Sequence, residues 1–94
     1  MKILVVEDDE AVNQLLCRRL EREGYQVQGI LTARELINAM EMGLQADLML
    51  LDFKLHDLDA SEVVQSLKKM KRLLPFIVCT GVGSEVIAVK MMKE

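Results

Sequence analysis

Apolar residues along this chain fall into two alternating patterns. Residues 3–6, Ile-Leu-Val-Val, and 48–51, Leu-Met-Leu-Leu, are continuous apolar runs too short for an ordinary helix, so they read as strands buried on both faces of a parallel sheet. Residues 76–80, Phe-Ile-Val-Cys-Thr, make a further strand after Pro75, and the imperfect alternation of residues 25–30 suits an exposed edge strand. Between the runs, apolar positions follow helical spacing: Val12, Leu15, Leu16 and Leu20; Leu36, Ile37 and Met40; Val63, Val64, Leu67 and Met70. A last helix is expected from Ser84 through Val86, Ile87 and Met91 to Glu94, after a loop at residues 81–83. Caps agree with these frames: Asp9 before the first helix with Gly24 as its stop, Thr32 with Glu35 as a capping box, and Ser61 before the third helix. The resulting β-α-β-α-β-α-β-α order predicts a parallel sheet with right-handed crossovers.

Two of the strand runs stop abruptly on acids. The first runs into Glu7-Asp8-Asp9-Glu10, and the central one ends on Asp52, followed by a polar loop. In open parallel α/β sheets, ligands bind outside the carboxyl ends of the strands, so these acids are placed for chemistry. With Thr80 at the end of another strand they make an oxygen-rich edge. Two carboxylates about 4 Å apart repel by roughly 4 kcal/mol at an effective dielectric of 20, and a hard cation such as Mg²⁺ or proton uptake relieves that cost. A carboxylate beside bound Mg²⁺ is suited to accept a phosphoryl group, with the Thr80 hydroxyl donating to one of its oxygens.

Composition narrows the rest. Ninety-four residues, 51% hydrophobic and 29% charged, make one small globular domain. A net charge of −3 argues against nucleic-acid binding by this segment, and the basic residues Lys68, Lys69, Lys71 and Arg72 read as a solvated helix end. Cys17 and Cys79 lack partners at metal-ligand spacing and read as reduced thiols of a cytoplasmic protein. The apolar start is too short for a signal peptide or a membrane span.

The segments 3–10, 50–60 and 77–81 together resemble the signature segments of the receiver domain of two-component signalling proteins, in the right order along the whole chain. The resemblance implies a flavodoxin-like (CheY-like) three-layer α/β sandwich with a parallel sheet of order 2-1-3-4. It implies Asp52 as phospho-acceptor, Glu7 and Asp8 as the acidic pair that holds Mg²⁺ with Asp52, the backbone carbonyl of Lys54 as a further ligand, and Thr80 as the switch hydroxyl. Asp9 is expected to cap its helix instead. The implied partner is a sensor histidine kinase or histidine phosphotransfer protein, and the implied role is a signalling switch, not an enzyme. Four departures stand beside the likeness. His56 replaces the family's usual Pro, Ala60 its usual Gly, and Gly81 follows Thr80; His56 is read as an inert loop residue. The family's last strand and helix, with the Lys that pairs the phosphoryl oxygens, have no counterpart, so the domain over residues 1–94 is expected to be incomplete and to dimerise through a bare edge at residues 76–80 and the last helix.

Rival readings are weaker. A phosphohydrolase of the haloacid dehalogenase kind would call for Asp at position 54, where Lys54 stands, and a flavin-binding protein would not put four acids where phosphate must sit. An interaction module that keeps the receiver fold without phosphorylation is the main alternative.

Overall fold

The computed structural model describes residues 1–53, 55–82 and 85–92, with side chains described up to residue 79. Strand β1 (Lys2–Val6) leads through helix α1 (Glu10–Arg22) to β2 (Gln26–Ile30), then through α2 (Ala33–Glu41) to β3 (Leu48–Asp52), and through α3 (Ala60–Lys69) to β4 (Phe76–Val82). Strand β5 (Glu85–Met92) follows directly. The sheet order is β2-β1-β3-β4-β5, parallel from β2 to β4. The expected flavodoxin-like 2-1-3-4 arrangement is therefore present.

The end of the chain departs from expectation. Residues 85–92 are not a helix but a strand antiparallel to β4, with Phe76 opposite Met92 and Val82 opposite Glu85. Val86, Ile87 and Val89 are β-branched and favour a pleated strand. Pairing gives the β4 backbone the neighbour whose absence motivated the expected dimer, so that argument for dimerisation falls away. Strand β4 also continues to Val82, through part of the predicted loop.

The main core lies between one sheet face and helices α2 and α3. Leu4, Val6, Met49 and Leu51 point into it, against Ile30, Leu36, Met40, Val63, Leu67 and Phe76. Helix α1 packs on β1 and β2 from the other side, where Ile3 and Val5 are buried. Leu48 and Leu50 are only half-buried, so β3 is fully covered on one face rather than both. One helix spans less of its face than two.

Helix boundaries follow from local chemistry. The Asp9 carboxylate accepts from Val12 N at 3.1 Å, and Gly24, at φ 95°, turns the chain out of α1. The Thr32 hydroxyl accepts from Glu35 N at 3.0 Å, but the Glu35 carboxylate accepts from Leu31 N instead of closing a box. Helix α3 begins one residue before Ser61: its cap is Asp59, which forms a reciprocal capping box with Glu62. Leu15 faces solvent, and Asn13 takes the buried position on α1.

Candidate metal and phosphoryl site

The parallel strands deliver their carboxyl ends to one edge, and the acids arrive there with them. Glu7 and Asp8 follow β1, and Asp52 is the last residue of β3. One oxygen from each of the three lies within 4.8 Å of the others, all at intermediate burial. Sequence-predicted Glu7, Asp8 and Asp52 thus converge. Asp9 turns away to cap α1. Lys54 and the side chain of Thr80 lie outside the described residues; the Thr80 backbone is in β4, one residue beyond Cys79, which pairs with Asp52.

Burial and, after it, crowding by like charge show in Glu7. Burial, with the nearby Asp52 and Asp8 carboxyls, pushes its carboxyl up from 4.5 to about 7, against a lowering hydrogen bond from Asp9 N. Like charges this close favour a bound cation or a proton on Glu7. Cys79, behind the cluster, is also pushed up, first by burial and then by Asp52 and Glu7. The donor set of hard carboxylate oxygens fits Mg²⁺ or a similar divalent ion.

The frame around the acids was less visible in sequence. Asn13, nearly fully buried, sends its side-chain amide to the carbonyls of Val5, Glu7 and Ile30 at 3.2, 3.0 and 3.0 Å. Its carboxamide thus pins the ends of β1 and β2 to α1. Gly29 leaves the room: a Cβ there would sit 2.3 Å from the Asn13 Oδ1. A signal did exist, because Asn13 shares helical spacing with Leu16, Cys17 and Leu20 on the inward stripe.

The loop after β3 is anchored at several points. Phe53 N donates to Cys79 O at 2.9 Å, Ala60 N donates to Phe53 O at 3.0 Å, and Leu55 is buried in the core. His56 N donates to the Asp8 carboxylate at 3.0 Å, and its imidazole Nδ1 contacts the same Oδ2. Asp57 crosses to helix α2, where its two oxygens accept from Ala33 N at 3.1 Å and Arg34 N at 2.9 Å. Burial alone would raise the Asp57 carboxyl; the N–H donors of Arg34, Ala33, Leu58 and its own backbone outweigh it and hold the group below its ordinary range.

Comparison with known proteins agrees with this geometry. The sequence model of the response regulator receiver domain matches residues 3–94. The chain belongs to the response regulator receiver domain family. Among relatives, this receiver domain is 37% identical over 84 residues to the alkaline phosphatase synthesis transcriptional regulatory protein PhoP of Bacillus subtilis, covering 89% of this chain and 35% of that protein. It is 33% identical to the DNA-binding dual master transcriptional regulator RpaA of Synechocystis, covering 87% of this chain and 34% of RpaA. The chain thus spans about a third of the length of these relatives. Among solved structures, a receiver domain protein from Methanospirillum hungatei superposes with a TM-score of 0.77 at 34% identity, over 88% of this chain and 66% of that one. The response regulator TrrA of Thermotoga maritima, in complex with Mg²⁺-BeF, superposes with a TM-score of 0.76 at 28% identity, over 87% and 70% of the two chains. Two-component signalling is the setting of this family. Among the described residues, no helix is long and apolar enough to cross a membrane.

Proposed function

We propose that residues 1–94 act as a phospho-accepting receiver domain, with Asp52 as the acceptor of a phosphoryl group from a phosphohistidine of a sensor kinase or phosphotransfer protein. The convergence of Glu7, Asp8 and Asp52 carries this reading. A carboxylate oxygen of Asp52 forms the new O–P bond as the P–N bond of the phosphohistidine breaks, and the imidazole leaves with the electron pair. Glu7, Asp8 and Asp52, with the backbone carbonyl of Lys54, would hold Mg²⁺, which supplies charge neutralisation for the transferring oxygens. Thr80 is assigned the switch hydroxyl, donating to a phosphoryl oxygen.

Helix α1 and Asn13 serve the site by holding the Glu7 backbone at the sheet edge, while Leu55 and the Ala60 to Phe53 hydrogen bond seat the loop that follows Asp52. The similarity to transcriptional regulators supports a role in which the switch controls a transcriptional output located outside this segment. The test is intact-mass analysis after treatment with a small phosphodonor and Mg²⁺. One phosphoryl group is expected, base-labile and absent from Asp52→Asn. Labelling that survives Asp52→Asn, or that proceeds equally in chelator, would overturn the assignment.

A further inference from the structure

The strands that carry the acids to one edge of the sheet leave a cleft at the other. Because β1, β3 and β4 are parallel, their amino ends share an edge, and there a cavity of about 530 Å³ opens between them and the end of α2. That volume is within the usual range for small-ligand sites, roughly 300–1,000 Å³. Its apolar walls are aliphatic: Met40 from α2, Leu44 and Ala46 from the turn before β3, and Leu73 and Leu74 from the segment before β4. Met40 is buried, and the other four are half-buried. Lys2, Lys71 and Arg72 stand around them, with Gln45 and Asp47 completing the lining.

The charges of this cleft are not balanced within the fold. The Asp47 carboxylate accepts from Lys2 N at 2.8 Å, and Asp47 N donates to Lys2 O at 2.8 Å, a reciprocal pair that ties the starts of β1 and β3 together. Among the described residues, the side chains of Lys2, Lys71 and Arg72 make no hydrogen bond or ion pair. Three cations therefore face one acid. That acid is held beside β1, whereas Lys71 and Arg72 arrive with the chain that becomes β4.

Lys71 adds an independent sign. Each helix ends in the same closure: Gly24 N and Tyr25 N reach back to Glu21 O and Leu20 O, Gly43 N and Leu44 N to Met40 O and Ala39 O, and Lys71 N and Arg72 N to Lys68 O and Leu67 O. The first two closures put glycine at the left-handed position, with φ 95° and 96°; the third puts Lys71 there at φ 58°, the one non-glycine residue with positive φ among those described. A side chain in that conformation strains the backbone. The helix dipole does not call for it, since Lys68 and Lys69 already occupy the last turn of α3. What Lys71 adds is a charge at the cleft.

We propose that this cleft binds a small aliphatic carboxylate, its chain lying along Met40, Leu44, Leu73 and Leu74 and its head group on Arg72 and Lys71. The planar guanidinium of Arg72 is suited to both oxygens of a carboxylate, and Lys71 contributes a second positive charge. A concave site encloses a single chain, and a net charge of −3 disfavours an anionic membrane surface, so the free acid is the occupant.

The experiment titrates decanoate, below its micelle-forming concentration, into the chain of residues 1–94 and follows the backbone amide resonances. Saturable shifts are expected, largest at residues 2, 44–47 and 71–74. Decanol, which has the same chain without the charge, and decanoate on Arg72→Gln should each bind about tenfold more weakly. Lys69→Gln removes a charge from α3 outside the cleft and should leave decanoate binding unchanged. Lys71→Gly should weaken binding up to about fivefold while raising the Tm, because glycine relieves the left-handed position. Weaker binding in a better-folded chain is what a purely structural lysine would not produce. Absence of saturable shifts, decanol binding as well as decanoate, or Lys71→Gly melting higher with its affinity intact would overturn the proposal. Preference for phosphatidylglycerol vesicles over free decanoate would overturn the free-acid assignment and give the cleft to a lipid surface.

Discussion

A cluster of three carboxylates and a single carboxylate on the loop beside it behave in opposite ways. Glu7, Asp8 and Asp52 are gathered at the sheet edge facing one another, and Glu7 is pushed up to about 7 by burial and by its acidic neighbours. Asp57, on the loop that leaves Asp52, faces the amino end of α2 and is held low by the N–H groups of Arg34 and Ala33. Both are acids at a sheet edge. The difference is what meets them: backbone donors and a helix dipole hold Asp57 low within the fold, whereas the three clustered acids face one another.

The largest effect that should separate the two groups is metal binding. A divalent ion at a hundredfold excess over its Kd stabilises the fold by about 2.7 kcal/mol, and a domain of this size gains roughly 4–8 °C in Tm per kcal/mol. Mg²⁺ is therefore expected to raise the Tm by about 10 °C or more, Asp8→Asn should remove most of the rise, and Asp57→Asn should leave it in place. A flat Tm across the titration would end the distinction drawn above. Next in size, Asp57→Ala should cost about 1 kcal/mol by urea unfolding in chelator, the usual loss when a capping acceptor is removed from a helix amino end. Asp57→Asn, which keeps one acceptor oxygen, should cost less.

Smaller still, Glu7→Gln in chelator at neutral pH should stabilise the chain by about 0.5 kcal/mol, the size of an exposed charge pair relieved of repulsion, while weakening Mg²⁺. Loss of metal-free stability in that variant would show that the cluster is not crowded. The pH dependence of the metal-free chain should carry both signs. Glu7 binds its proton more tightly folded than unfolded, so its contribution is full below 4.5 and fades as pH rises through about 7. Asp57 binds its proton less tightly folded, so its contribution is present above 3.8 and fades as pH falls below that value. Urea midpoints at pH 5 and pH 8, with and without Glu7→Gln, check the first; a pH series below 4 with Asp57→Ala checks the second.

Much of this architecture was legible because its signals are local. Short apolar runs ending on Glu7 and Asp52 define both the strands and the edge at which the acids meet, and period alone identifies the three helices. What escaped the sequence depends on partners far along the chain. Asp57 looks like an ordinary loop acid until the fold brings Ala33, 24 residues earlier, against it. Residues 85–92 present apolar positions that a helix can also use, and only pairing with β4 decides for a strand. Ser61 is a good cap by type, but Asp59 with Glu62 makes two reciprocal bonds where Ser61 would make one. Asn13 reads as a solvated helix residue unless its place on the inward stripe is weighed against the carbonyls of Val5, Glu7 and Ile30 that the fold brings to it.

The loop leaving Asp52 also has a mechanical meaning. Its adjacent residues His56 and Asp57 are fastened in opposite directions, one to Asp8 at the end of β1 and the other to the first turn of α2. A segment clamped at both sides behaves as a taut link. If the Asp8 carboxylate moves, the His56 amide must follow or let go, and the pull reaches α2 one residue later without crossing the packed core. The first turn of α2 is in this sense the far end of a short lever whose near end is Asp8.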